Sequence, residues 1–208
     1  MTNSDVARHP APIILASSSP YRRELLARLG LPFTCSTPAI DETPLPHETT
    51  LALALRLAEL KARVIAQQNP GAWVIGSDQV ADLFGAVLGK PGNFERALAQ
   101  LQLMRGNAVH FHTALCFMRD EQYTTLSVPT TVQFRDLSDA ILEAYLHAEQ
   151  PYDCAGSAKV EGLGISLLES VQSDDPTALV GLPLIALSGL LRDAGFALPA
   201  KNWFATSK

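Results

Sequence analysis

Three groups of residues have types and spacings suited to a phosphorylated ligand. The first is Ala16-Ser17-Ser18-Ser19-Pro20-Tyr21-Arg22-Arg23. Small hydroxyl residues at a strand-to-helix turn leave backbone N–H groups free at a helix N-terminus, and such a terminus attracts phosphate. Arg22 and Arg23 in the first helical turn add fork-shaped donors for phosphate oxygens. An ordinary capped helix with solvated arginines accounts for the same residues. Basic side chains at that end oppose the helix macrodipole, however, so the placement costs stability unless an anion sits there. The second group is acidic: Asp41 and Glu42 in a loop, and Asp78 at the end of an apolar strand. Magnesium takes oxygen ligands from one or two carboxylates together with substrate phosphates. Asp78 is placed to hold a metal or to accept the proton of an attacking water. The plainer account is a turn cap for Asp78 and solvated loop acids for Asp41 and Glu42; for Asp41 the plainer account is preferred. The third group is Lys61, late in a helix, and Lys90 in Gly89-Lys90-Pro91-Gly92, where an ammonium projects from a rigid turn. A lone lysine otherwise faces solvent.

These residues need elements to hold them. Ile13-Ile14-Leu15-Ala16 reads as a buried first strand, and Ser19 and Pro20 suit the N-cap and first position of a following helix. Leu25, Leu26 and Leu29 give that helix its apolar face, and Gly30 ends it. Leu53, Leu57, Leu60 and Val64 recur at helical spacing, which predicts a helix from about Thr49 to Ala66, stopped by Asn69-Pro70-Gly71. Trp73 to Ser77 reads as a central strand, with Asp78 just beyond it. Gly85 turns the chain back into Val87-Leu88. Phe94, Ala97, Leu98 and Leu101 mark another helix, ended by Gly106. Two β-like runs follow, Val109 to Met118 and Tyr123 to Phe134. Ser138 caps a helix whose apolar face is Ile141, Leu142 and Tyr145; Gly162 to Val171 reads as a strand and Pro183 to Leu191 as the closing helix. Helices alternating with strands, with hairpin-like runs between, predict an α/β fold with a mixed central sheet flanked by helices. The whole chain, 1–208, is expected to form a single domain, with a flexible N-terminus over 1–11.

Composition narrows the function classes. The chain has 208 residues, 47% of them hydrophobic, enough for a sizeable core, and a formal charge of -5 without a basic stripe. Long nucleic acid needs such a stripe, so it is not an expected partner. The first ten residues carry no apolar signal core, and no segment approaches a membrane span; a cytoplasmic location without a membrane partner is expected. Cys35, Cys116 and Cys154 are scattered and suit free thiols, with Cys116 and Cys154 as small buried hydrophobes. His110 and His112 share a strand face, but no third ligand stands at a zinc-like spacing.

In order along the chain, Ser17 to Leu26, Asp41 to Pro44, Arg56 to Ala62, Ser77 to Val80, Gly89 to Pro91, Ala155 to Ser157 and Val180 to Leu184 resemble the motifs of the Maf family of nucleotide pyrophosphatases. The resemblance runs from Ile13 to about Leu191. It implies a two-lobed α/β fold related to the inosine triphosphate pyrophosphatases (Ham1), with the active site in the cleft. It also implies a divalent metal (magnesium, manganese or cobalt) and hydrolysis of a nucleoside triphosphate at the α phosphate, giving the monophosphate and pyrophosphate. Carried over by position, Ser17, Arg22, Glu42, Lys61, Asp78 and Lys90 match the family's active-site set, with Asp78 as proton acceptor and, with Glu42, as metal ligand. Arg23 is included as a phosphate donor.

Three further positions sort substrates within the family. Tyr21, Gln79 and Glu161 resemble the branch acting on 7-methyl-GTP, although that branch often has Trp where this chain has Tyr21. The chemistry agrees: a cationic 7-methylguanine ring is attracted to an aromatic face, and a carboxylate accepts from the two adjacent N–H donors of guanine. Rival readings are a dTTP/UTP or broad modified-nucleotide pyrophosphatase and a non-catalytic nucleotide-binding regulator of cell division. Asp78, Glu42 and the two lysines favour catalysis, because binding alone needs no general base. The only protein partner expected is a second copy of the chain, in a homodimer.

Overall fold

The computed structural model describes residues 11–199. Apart from Ala11, the N-terminal segment expected to be flexible lies outside the described residues. Seven strands in one sheet and five α-helices are found among them. Strands β1 (Ile13–Ala16), β2 (Phe33–Ser36) and β3 (Trp73–Leu83) pair in parallel about the central β1. All four β1 residues are buried, as an interior parallel strand requires. Strands β4 (Ala86–Leu88), β5 (Ala108–Arg119), β6 (Gln122–Phe134) and β7 (Leu168–Ser173) continue antiparallel, giving the order β2-β1-β3-β5-β6-β7, with β4 on β3. Helices α1 (Pro20–Ala27), α2 (Thr50–Gln68), α3 (Phe94–Met104), α4 (Asp139–Glu149) and α5 (Leu184–Asp193) flank the sheet. The mixed sheet flanked by helices is the fold class expected from the sequence. Among the described residues no helix is long and apolar enough to cross a membrane.

The core has three parts. Residues of α2 pack on one face of β1, β3 and β5. Leu25, Leu26 and α5 pack on the opposite face. The far ends of β3, β5 and β6 pack with α3 and α4 in a separate cluster. Strand β3 runs from the first two clusters into the third: Val74 and Ile75 belong to the former, Ala81 and Leu83 to the latter. Its middle is therefore where two lobes meet.

Three expectations are corrected. Strand β3 does not end at Ser77: it pairs with β5 through Asp78↔Ala114 to Asp82↔His110, so Asp78 lies inside it. The polar run Ser77-Asp78-Gln79 interrupts the apolar pattern, yet each of these side chains finds a partner on a segment packed against the sheet. The stretch from Gly162 is not strand from its start: Leu163–Leu167 forms a 3-10 turn and β7 begins at Leu168. The carbonyl of Lys159 takes the N–H groups of both Gly162 and Gly164, which curls the chain there. Ile141 is 48% exposed, so α4 buries Leu142, Tyr145 and Leu146 instead.

Candidate active site

The turn from Ser17 to Arg22 forms as its sequence dictates. Ser19 is the N-cap of α1 and its Oγ accepts from the Arg22 N–H at 3.4 Å; Pro20 opens the helix. Ser17 is buried and its Oγ accepts from the Ser19 N–H at 3.1 Å. No acid stands in the first turn of α1, so the positive end of its dipole is left for a ligand. The Nε of Arg22 donates to the Gly181 carbonyl at 2.8 Å. Burial draws the Arg22 guanidinium below its usual pKa, and the carboxylates of Asp78 and Glu42 oppose that shift. Arg23 is exposed and does not line the cleft, being one helical step around from Arg22.

Helix α2 supplies the central lysine. Thr49 caps it, accepting from the Ala52 N–H at 3.2 Å, and Lys61 falls on its buried stripe with Leu53, Leu57 and Ala58. The lysine Nζ lies 2.6 Å from Asp78 Oδ1 and 2.7 Å from Glu42 Oε1. Gly76 permits this closeness: a Cβ there would strike the Ala58 carbonyl and come within 2.8 Å of the Ala62 nitrogen. The loop bearing Glu42 is tied to the same helix. Arg56 grips both carboxylate oxygens of Glu48 at 2.6 and 2.7 Å and donates to the Thr43 carbonyl at 3.1 Å. That grip pulls the Glu48 carboxyl down to about 2. Asp41 accepts from the Thr43 N–H at 2.9 Å and does not line the cleft, in keeping with a turn role.

One cleft of about 570 Å³ gathers Ser17, Tyr21, Arg22, Glu42, Lys61, Asp78, Gln79, Lys90 and Glu161. Lys90 is exposed at its rim and makes no ion pair among the described residues. Alternation along β3 sends Asp78 towards α2 and sends Ser77 and Gln79 to the other face. There the Gln79 Nε2 donates to Thr113 Oγ1 and to the Ala178 and Leu179 carbonyls, each at 3.0 Å. Gln79 lines the cleft, but its donors are committed to the protein.

The remaining wall was not anticipated as a unit. Asp153, Cys154, Val160 and Glu161 line it, and the Nζ of Lys159 stands 5.8 Å from the Tyr21 ring centroid. Lys159 pairs with Glu149 at 3.2 Å, and Glu149 also accepts from the Leu163 N–H at 2.8 Å. Burial raises the Tyr21 hydroxyl pKa, and Cys154, Asp153 and Glu161 add to the rise while Lys159 opposes it. Carboxylates thus outnumber ammonium groups around the ring. Cys154 is only partly buried, not a core residue, and burial pushes its thiol up to about 12; buried Cys116 rises to about 11. Neither is poised as a thiolate nucleophile. The signal for this wall was the pair Asp153 and Glu161 flanking Ala155-Gly156-Ser157, which spacing alone does not join to Tyr21.

Among the described residues no cluster of three or more His, Cys, Asp and Glu side chains is placed to hold a metal unaided. A model of the Maf-like protein family matches residues 12–194. The 7-methyl-GTP pyrophosphatase of Cupriavidus metallidurans is 62% identical over 186 residues, 88% of this chain and 94% of that one. Proteins of the same name from Paraburkholderia xenovorans and Ralstonia nicotianae are 60% and 61% identical, covering 94% and 90% of this chain and 98% and 97% of theirs. A HAM1 protein structure from Coxiella burnetii overlaps with a TM-score of 0.45 at 17% identity, over 61% of this chain and 74% of that one. With nearly its whole length matched by the family model and by relatives at this identity, the chain belongs to the Maf family.

Proposed function

We propose that this protein is a hydrolase cutting 7-methyl-GTP between its α and β phosphates, releasing 7-methyl-GMP and pyrophosphate. The observation that carries the reading is one cleft holding a helix N-terminus with Arg22, the Glu42–Lys61–Asp78 cluster and the Tyr21–Glu161 wall. The activity named for relatives at 60–62% identity supports it. In this reading the positive N-terminal end of α1, with Arg22 and Lys90, binds the triphosphate. Lys61 holds Asp78 through Oδ1, leaving Oδ2 to take the proton of the attacking water. The water oxygen bonds to the α phosphorus, the bond from that phosphorus to the bridging oxygen breaks, and pyrophosphate leaves. Two carboxylates sharing one lysine fit the small protein contribution typical of magnesium sites. Glu42 and Asp78 would hold a divalent cation (magnesium, manganese or cobalt), which when bound offsets phosphate charge and lowers the pKa of water. The enzyme would act in the cytoplasm on free nucleotide, as a homodimer.

Tyr21 and Glu161 favour a cationic purine over dTTP or UTP. The aromatic face attracts a cation by ~0.5–2 kcal/mol, and a pyrimidine base offers Glu161 one N–H instead of two. The test is kcat/KM for 7-methyl-GTP, GTP, dTTP and UTP with each metal, on wild type and Glu161→Gln. The expected order is 7-methyl-GTP, then GTP, then the pyrimidines, with the purine advantage reduced in Glu161→Gln. A wild-type preference for dTTP or UTP would remove the assignment of base, and release of orthophosphate in place of pyrophosphate would remove the cleavage site.

A further inference from the structure

Arg22 is the phosphate-binding cation nearest the α1 N-terminus, and its surroundings should pull it the wrong way. Asp78 and Glu42 both act electrostatically on its guanidinium. An arginine free to rotate would fold onto those carboxylates and shield them from a ligand. In the structure it does not: no carboxylate lies within 4 Å of it among the described residues. Its Nε is tethered instead to the Gly181 carbonyl at 2.8 Å. From the sheet side that carbonyl also meets Ser77, wholly buried in β3, whose single hydroxyl proton is shared between Gly181 O at 2.9 Å and Ala114 O at 2.8 Å. Gly181 has a φ of 118°, which a residue with a Cβ rarely adopts, and a Cβ would lie 3.5 Å from the Arg22 Nε. The carbonyls of Ala178 and Leu179, earlier in the same segment, are held by Gln79 and Thr113.

We propose that Ser77 is a positioning residue that acts through the Gly181 carbonyl to hold the Arg22 guanidinium off the carboxylates, with its terminal nitrogens kept for phosphate. A tethered fork loses less freedom when it meets its ligand than an untethered one. The inference rests on the reading of the cleft as a triphosphate site.

The experiment is a double-mutant cycle with Ser77→Ala and Arg22→Ala, read as KM and kcat for the best triphosphate and as pyrophosphate affinity by calorimetry. Ser77→Ala is expected to raise KM and weaken pyrophosphate by about two- to tenfold, the usual net value of one hydrogen bond, with kcat nearly unchanged. In the Arg22→Ala background the same substitution should change KM and pyrophosphate affinity by less than about twofold, because the tethered group is gone. An equal loss in both backgrounds, or a loss in kcat alone, overturns the proposal and makes Ser77 a packing residue. If Ser77→Ala does not fold, the cycle is run with Ser77→Cys, which keeps the volume and weakens the hydrogen bond, and the same two outcomes decide. Failure of wild type to hydrolyse any triphosphate would instead overturn the reading of the site; pyrophosphate binding still scores the tether.

Discussion

Asp78 is held at one carboxylate oxygen and open at the other. Lys61 sits 2.6 Å from Oδ1, while no protein donor is found for Oδ2 among the described residues. A carboxylate oriented this way presents one fixed acceptor to a water beside the substrate. Asp78→Asn keeps the shape and removes the proton acceptor. The expected loss in kcat is roughly 10²–10⁴-fold, with the fold retained by circular dichroism; near-normal turnover would take Asp78 out of the mechanism. Glu42 reaches the same lysine from an exposed loop, so the carboxylate pair is assembled from that loop and a buried strand. What makes the loop definite is the Arg56–Glu48 grip beside it.

At the scale of elements, the site depends on how closely α2 approaches β3. Gly76 leaves no room for a methyl group against Ala58 and Ala62, and Lys61 is one residue before Ala62. Gly76→Ala should push the helix outward, costing about 1–3 kcal/mol of stability as overpacking and separating Lys61 from Asp78. Denaturant unfolding and kcat measured on one preparation check both parts. Lost stability with unchanged kcat would show that helix position does not control the cluster. Helix α5 shows the same dependence on distant support. Its N-terminal N–H groups, at Leu184 and Ile185, are accepted by Thr177 Oγ1 at 2.9 Å and by buried Asp175 at 2.6 Å. Those two residues replace a local N-cap and hold the segment leading to the Gly181 wall.

For the whole molecule, the loop carrying Glu42 ties its fate to acid titration. Glu48 titrates at about 2 in the folded protein against an ordinary 4.5, chiefly because of its hydrogen bonds to Arg56. A depressed carboxyl stabilises the fold above its unfolded value and loses that contribution as pH falls through the folded one. The melting-temperature gap between wild type and Glu48→Gln should therefore be level above pH 4.5 and close as pH falls towards 2. Thermal unfolding across that range checks it; a gap constant at all pH values would mean that Glu48 acts by shape instead of charge. The cleft itself is a whole-molecule feature, since its walls come from α1, α2, β3 and the segments near residues 90, 155 and 180.

Apart from β2, for which no strand was expected, the strands and helices up to β6 were legible because each carries its own periodicity, cap or turn residue. Ser19-Pro20 capped α1 and Thr49 began α2 where expected. The cleft composition was legible through the order of motifs, and Lys61 with Asp78 do meet in it. Arg23 was misplaced because a string of letters does not say which of two adjacent helical side chains turns inward. The full length of β3 was missed because a polar run imitates a strand end until tertiary partners satisfy it. Glu161 was expected beside Tyr21 from the family pattern; the donors of Gln79, the tether on Arg22 and the placing of Asp153 and Lys159 near Tyr21 were illegible for one physical reason. Each depends on atoms brought together from parts of the chain some 100 residues or more apart. Periodicity reports only on the face a residue takes within its own element. Local sequence therefore determined which elements form and which chemical groups they carry; packing of those elements decided which atoms remain free to meet a substrate.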